Sequence, residues 1–502
     1  MKILCLGNNS RNTDLLVSDL AKQSSTTNHG LIEDPSFVPT QDGYYHTTIV
    51  DLTSGQIVKL AKHFDQVRLL DQPIQEWTHW KLFLSTYKLI KELDKLIDVR
   101  IDNEESVRGI EFFQNLVQTN KSFCIYPFIE LIEEHGHVTL CARSKAKVAD
   151  RAVDIIDWKS APEYKEIREK MINGEKIPEY CQDGCYAYEE RGVESSRQFE
   201  TLEWISKLGL RSIEDLQTIE QPYYYEIRLS NKCNIMCRSC KPEHSHLIDK
   251  EYTSNNIIFP QEQTFKYSSF EHVDITKLND KSRIYLTGGE PSVMPEFYDF
   301  MEKCIEAGNT DFDFTIGTNA VSYTPKFLKL IDHFTNMNFS VSVDGYSKIN
   351  DYQRWLSDFD QMMNNAKLLK SKGHNVTFLV VPGMYNVTNL HLLFEYFDRE
   401  WPNPGLYVQV NHNEWQSAYN HPRPDLVMES MKRCQQTNTY LSDGRSCRST
   451  VDSLLAHYSN NPKCDLKLLK QFFEYNDQLD QTRGIRLVDY IPELEECRKL
   501  LG

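Results

Sequence analysis

No apolar stretch in this chain of 502 residues reaches the length of a membrane helix. The opening Met1-Lys-Ile-Leu-Cys-Leu-Gly7 breaks at Asn8-Asn9, too soon for a secretory apolar core. Positive charge is in short supply: 56 Lys and Arg stand against 72 Asp and Glu, a formal net charge of −16. That balance speaks against a broad nucleic-acid or anionic-membrane surface, because phosphate binding needs clustered Lys and Arg. No internal repeat of useful period occurs. Cysteine, by contrast, is plentiful. In a chain without an export signal, thirteen cysteines read as metal ligands or free thiols in a reducing cytoplasm, not as disulfides.

Three of them crowd into Ser230-Asn-Lys-Cys233-Asn-Ile-Met-Cys237-Arg-Ser-Cys240, a C-x3-C-x2-C loop that follows a strand-like run at 223–229. A cubane iron–sulfur cluster has four irons, and three thiolates leave one of them open. No fourth cysteine lies nearby, so that iron is free for a ligand that is not protein. Open coordination is what lets a metal site do chemistry. A structural zinc site completed by His244 or His246 suits the triplet alone as well. An electron-carrier ferredoxin fits less well, since its loop carries a further cysteine. The next strand favours the cluster. Arg283-Ile-Tyr-Leu-Thr-Gly-Gly-Glu-Pro291 is apolar and ends in two glycines, where backbone approaches a ligand closely. Glu290 supplies an acceptor for an ammonium group, and Pro291 stiffens the exit.

With these two motifs in hand, the chain resembles the radical S-adenosylmethionine (radical SAM) superfamily over about residues 223–411. The triplet is similar to that family's cluster loop, and Gly288-Gly289-Glu290-Pro291 to its methionine-binding motif. The resemblance implies a [4Fe-4S] cluster on Cys233, Cys237 and Cys240. It further implies that Gly288, Gly289 and Glu290 hold the methionine amino group of S-adenosylmethionine. Asn234 and Arg238 sit inside the loop and shape it, with no chemistry assigned to them.

Four segments follow from the pattern. Residues 1–105 alternate strand-like runs (2–6, 45–51, 66–70) with helical ones (14–22, 56–63, 80–97), which predicts a small Rossmann-like α/β layer. Its first loop lacks G-x-G-x-x-G and D-x-H-x-x-G, so neither a dinucleotide nor a cobalamin site is supported, and recognition or docking is the default.

Residues 118–205 hold four more cysteines. Cys124 and Cys141 bracket a hairpin-like stretch with Gly136 inside it, and Cys181 and Cys185 follow a helix-like run at 164–173. Two pairs of thiolates can enclose one tetrahedral zinc or one cluster. The spacing resembles the auxiliary-cluster SPASM and twitch domains of radical SAM enzymes, and Pro127, Glu189, Ser196 and Arg197 add to the match with twitch. It implies a second [4Fe-4S] cluster. Two departures stand out: the segment precedes the core, and the second pair is C-x3-C where C-x2-C is usual.

Residues 215–420 read as six strands, at 223–229, 283–286, 311–317, 338–343, 375–381 and 406–410, with helices such as 295–307 between them. That order predicts a partial (βα)6 TIM-like barrel whose sites gather at the strand carboxyl ends. The cluster loop, the Gly-Gly-Glu-Pro turn, Asn319, Ser342, Asp344 and Asn411 all fall there. Ser342 and Asp344 alternate, so both are expected to face the lumen, where they suit ribose hydroxyls; an Asx turn at Asp344-Gly345 is the bland alternative. The resemblance places a carboxylate-binding arginine in the next helix, at Arg354, and a surface ion pair is the competing fate.

Residues 421–502 form a mostly helical extension, with a helical pattern at 466–479, expected to pack across the open barrel as lid or buttress. The polar stretch 245–280, carrying Tyr252, Phe259 and Phe265, suits either a cover or a surface loop. Cys434, Cys447 and Cys464 read as free, fairly buried thiols, with a hydrogen-atom donor among them as the alternative.

The reading that results is a cytoplasmic enzyme with two clusters that abstracts hydrogen through a 5′-deoxyadenosyl radical. The resemblance implies an electron donor such as flavodoxin or ferredoxin and a peptide or small-molecule substrate, a peptide being the first guess. A non-catalytic zinc-binding interaction protein is the alternative; it leaves Gly288–Pro291 unexplained.

Overall fold

The structure is a computed structural model. It describes residues 2–7, 29–31, 43–48, 64, 66–69 and 98–101 of the first hundred. From 104 to 502 it describes all but 135–136, 145, 151–157, 160, 191–194, 258–268, 402–403, 412, 443–445 and 461. The chain divides into two compact units: residues 1–130, 139–148 and 155–222 in one, and 131–138, 149–154 and 223–502 in the other.

The first unit opens with five short strands, β1 Lys2–Gly7, β2 His29–Leu31, β3 Gly43–Thr48, β4 Gln66–Leu69 and β5 Asp98–Ile101. They pair in parallel in the order β2-β3-β1-β4-β5. The expected strands fall on β1, β3 and β4; β2 and β5 were not foreseen. The helical expectations at 14–22, 56–63 and 80–97 lie outside the described residues. Further along come the helices Glu104–Thr119, Pro162–Ile172 and Ser196–Leu208. Ser195 and Gln198 form a reciprocal capping box at the start of the last, and Gly209 (φ 69°) ends it.

The second unit is built on a parallel sheet. After β6 Glu130–Glu134 and β7 His137–Thr139 come β8 Tyr224–Arg228, β9 Arg283–Thr287, β10 Asp313–Thr318, β11 Met337–Ser342, β12 Asn375–Val380 and β13 Gly405–Val408. Strands β8 to β13 stand side by side in chain order and all pair in parallel. This large parallel sheet is that of a partial TIM barrel, and each of its six strands lies within about two residues of the position read from the sequence. The sheet also continues past β8 through β6 and β7, which the sequence did not disclose. That extension covers an edge β8 would otherwise expose.

Period-2 burial explains the strands. Ile284, Leu286, Phe314, Ile316, Phe339, Val341, Phe378 and Val380 are buried, while Tyr285, Thr287, Ser340, Ser342 and Thr377 on the alternate face are half-buried. Helix Pro295–Ala307 lies where the pattern put it, with Pro295 at its first turn and Gly308 (φ 73°) closing it.

Helix Leu466–Arg483 runs one turn past its expected end, from an Asp465 cap to Gly484 at φ 66°. Its Leu469, Phe472, Tyr475 and Leu479 bury against Tyr252, Tyr352, Tyr385 and Trp415, with the half-buried Met236 and Cys240 of the cluster loop on the same core. Tyr252 is therefore a core residue, and its hydroxyl meets that of Tyr475 at 2.5 Å. Phe259 and Phe265 lie outside the described residues. No described helix is long and apolar enough to cross a membrane.

Candidate radical SAM site and a four-cysteine cavity

The loop bearing Cys233, Cys237 and Cys240 leaves the carboxyl end of β8 and is stitched from both sides. On one side, Gly289 N–H donates to Ser230 O (3.0 Å) and Glu290 N–H to Lys232 O (2.7 Å). Gly288 takes φ 96°, and a β-carbon on Gly289 would stand 2.0 Å from Lys232 O. Both glycines are thus required by backbone geometry, one by its dihedral and one by contact with the cysteine loop. On the other side, residues 236–237 and 354–355 form a short antiparallel bridge that pairs Cys237 with Arg354. Arg238 N–H donates to Gln353 O at 2.8 Å.

Within the loop, Cys240 N–H donates to Cys237 O (3.1 Å), and Cys233 N–H to His246 Nδ1 (3.2 Å). Burial pushes all three thiols up, Cys233 to about 12, and the neighbouring thiols add to the rise at Cys233 and Cys240. Donors stand off two of the sulfurs: Asn319 Nδ2 at 4.0 Å from Cys233 and Arg354 Nη1 at 3.8 Å from Cys237.

Glu290 is 1% exposed. It accepts from the Ser292 hydroxyl (2.7 Å) and N–H (3.2 Å), the Thr318 hydroxyl (2.8 Å) and the Asn319 N–H (2.6 Å). It ties the end of β9 to the end of β10. Burial nevertheless raises its proton affinity above the usual carboxylate range. Pro291 is buried at the start of a short 3-10 turn. Asn319 also donates to Asn234 Oδ1 (2.7 Å), joining the end of β10 to the cluster loop.

Ser342 is half-buried, and its hydroxyl has no partner among the described residues. Asp344 is 1% exposed, its Oδ2 lies 2.8 Å from Arg354 Nε, and its Oδ1 accepts from Val381 N–H at 3.1 Å. Arg354 lies just past helix Lys348–Gln353, not within it, with its guanidinium between Asp344 and Cys237. The reason is burial, which makes a carboxylate and a guanidinium seek each other.

The distant partners of the loop carried no sequence signal. Arg238 is wholly buried, donates to Tyr352 O (2.9 Å) and Asn476 Oδ1 (2.9 Å), and pairs with Asp480. Its carbonyl accepts from Tyr475 (2.8 Å) and Gln416 (3.0 Å). Gln353 is buried beside Arg354, and neither atom of its amide head has a partner among the described residues.

In the first unit, Cys124, Cys141, Cys181 and Cys185 line one cavity together with Tyr126, Leu140, Arg143, Met171, Ser196 and Arg197. Gly136, part of the sequence match, lies outside the described residues. Cys181 ends a short helix and Cys185 sits in the π-helical turn Gln182–Tyr186, so the extra residue of C-x3-C is taken up by a widened turn. Burial raises all four thiols, Cys181 to about 12. Arg197, itself buried, pairs with Glu189 (2.7 Å) and donates to Phe123 O (2.7 Å), next to Cys124.

The donor sets bear on what each site would hold. A single tetrahedral zinc draws its sulfurs to within roughly 3.8 Å of one another, from Zn–S of about 2.3 Å. Among the described residues, no group of three or more Cys, His, Asp or Glu is placed to hold a single ion. The four thiols that line the cavity are the donor type of one zinc or of one iron–sulfur cubane, and the three of the loop are the donor type of a cubane with one open iron. Loading either site would release protons, since the thiols are held protonated.

The Radical SAM superfamily matches residues 227–393. No curated protein matches the chain. Native anSMEcpe with bound AdoMet aligns at 17% identity over 42% of this chain and 59% of its own, with a TM-score of 0.32. Streptococcus suis SuiB bound to precursor peptide SuiA aligns at 14% over 66% and 64%, with a TM-score of 0.30. TYW1 with a lysine-pyruvate adduct aligns at 12% over 42% and 70%, with a TM-score of 0.24. The chain thus spans less than two thirds of the first two, and likenesses this partial carry no argument. The family match stands without them: residues 227–393, which carry the core of the parallel sheet, match the Radical SAM superfamily.

Proposed function

We propose that the protein cleaves S-adenosylmethionine by one-electron reduction and uses the resulting 5′-deoxyadenosyl radical to take a hydrogen atom from a substrate. One observation carries the reading: the three-thiol loop is held at the end of a parallel sheet by a glycine turn that only glycine backbone can make. Cys233, Cys237 and Cys240 would hold a [4Fe-4S] cluster. When bound, that group supplies the electron that breaks the sulfonium C–S bond. The chain's own part is orientation and exclusion of water. The Gly288–Pro291 turn borders the methionine end, with Glu290 bracing it from behind. The free hydroxyl of Ser342 is open to a ribose hydroxyl. Asn319 fixes the loop through Asn234.

Cys124, Cys141, Cys181 and Cys185 would hold a second [4Fe-4S] cluster, in the manner of a SPASM or twitch domain, whose use is to accept or relay an electron. The four-thiol cavity supports this part. The substrate class we favour is a peptide or protein, because a separate α/β domain precedes the core; SuiB, for its part, is seen with a precursor peptide. A flavodoxin or ferredoxin as electron donor and a cytoplasmic setting belong to the same proposal.

Anaerobic reconstitution followed by iron, sulfide and zinc analysis tests it. Roughly eight irons per chain are expected for two cubanes. Ala at Cys233, Cys237 and Cys240 should remove about half of them and abolish 5′-deoxyadenosine release under dithionite. Stoichiometric zinc without labile sulfide would overturn the reading.

A further inference from the structure

A guanidinium stands between a buried carboxylate and a cluster-loop sulfur. Arg354 Nη1 lies 3.8 Å from Cys237 Sγ, and Nε lies 2.8 Å from Asp344 Oδ2. Asp344 is itself immobilised. Its Oδ1 accepts from Val381 N–H (3.1 Å), its own N–H donates to Asn350 Oδ1 (3.1 Å), and its carbonyl accepts from Asn386. The backbone of Arg354 is pinned to Cys237 by the antiparallel bridge. An arginine stays charged in such surroundings, and its fork is rigid. Nη1 donates to the sulfur, and Nε stands beside the carboxylate as an ion-pair contact without a hydrogen bond.

We propose that Arg354 sets the reduction potential of the cluster held by Cys233, Cys237 and Cys240, donating to the Cys237 sulfur from a guanidinium that Asp344 holds in place. The inference rests on the functional reading above. Hydrogen bonds and net charge at the sulfurs are among the factors that set a cluster's potential. A donor with positive charge favours the reduced state, which carries one more electron. Asp344 is the positioning residue; it also offsets part of that charge.

The two partners therefore pull in opposite directions, and this is what a purely structural pair would not do. The full-length protein, reconstituted with iron and sulfide, is titrated redox-wise and followed by electron paramagnetic resonance on the signal that S-adenosylmethionine perturbs. Arg354→Gln should move the midpoint to lower potential, and Asp344→Asn, which leaves the guanidinium unbalanced, to higher potential. Arg354→Lys should fall between Arg354→Gln and the unaltered protein. Midpoints unchanged in both Arg354→Gln and Asp344→Asn would overturn the inference. So would a loss of S-adenosylmethionine affinity in Arg354→Gln with the midpoint unmoved, which would return Arg354 to the cofactor carboxylate. Should Arg354→Gln fail to hold iron, Asp344→Asn decides: a rise supports the inference and no change overturns it. A protein that forms no sulfide-containing cluster at Cys233, Cys237 and Cys240 would instead overturn the functional reading, and this inference with it.

Discussion

Arg238, in the middle of the cluster loop, is paired with Asp480, 242 residues away on the C-terminal helix, and lies over the ring of Tyr352 at 3.6 Å. Asp480 also accepts from the Tyr352 hydroxyl (3.0 Å) and from Leu487 N–H (2.7 Å). The helix is thus joined to the loop by a charged bond inside an apolar core. Removing one partner of a buried pair costs about 3–5 kcal/mol, because the other charge is stranded. Asp480→Ala should lower the unfolding temperature accordingly and reduce iron at the Cys233 loop. Thermal unfolding and iron content check both; an unchanged melting temperature would show that the pair does not hold the loop.

Gly289→Ala places a β-carbon where Lys232 O already stands. Overpacking of this kind costs about 1–3 kcal/mol. The displaced segment is the one that leads into Cys233, so iron retention should drop along with stability. Gly209→Ala, at a helix end with φ 69° and open space around it, serves as the control: backbone strain should cost stability there while iron content stays unchanged.

Glu290→Gln turns an amide towards donors that now meet a carboxylate. Loss of one charge-assisted hydrogen bond costs about 1.5–3 kcal/mol, so chemical denaturation should show a stability loss of that order. Proton affinity gives a second reading. Glu290 is held above the usual carboxylate range by burial, so between the unfolded value near ~4.3 and the folded one the native state binds more protons. Stability from this group is fullest below that window and falls as pH rises through the folded value. Denaturant midpoints measured across pH should lose that component in Glu290→Gln. An identical pH profile would mean that the group titrates as in the unfolded chain.

Glu189→Gln leaves Arg197 buried beside the four-cysteine cavity with a neutral partner. Arg197 holds the backbone at Phe123, so Cys124 should lose its place. About half of the reconstituted iron should disappear, while 5′-deoxyadenosine release under dithionite continues, because the Cys233 loop is untouched. Loss of that release in a folded variant would contradict a division of labour between two clusters.

The strands of the barrel could be read from the chain because their apolar residues recur at period two, and helix Pro295–Ala307 because Phe297, Met301 and Ile305 share one face. Gly288 and Gly289 were recognisable as a motif, but their separate duties were not: one takes a positive φ, the other meets Lys232. The same holds for Glu290. Its identity suggested a ligand contact, but its hydrogen bonds from Ser292, Thr318 and Asn319 could not be read from the chain. A carboxylate looks the same in sequence whether it faces a cofactor or a hydroxyl of its own chain. The C-x3-C spacing at Cys181 read as a departure, and a π-helical turn absorbs it.

The cysteine loop, the glycine turn and the order of the six parallel strands are written in the chain, because each depends on local spacing and local conformational limits. Which charges neutralise which is settled by packing. Arg238 with Asp480, Arg354 with Asp344 and Arg197 with Glu189 are chosen by burial, which forces a charged group to find the partner that the packed fold brings within reach. Two of the three join different parts of the second unit, and no periodicity along the chain records such a pairing.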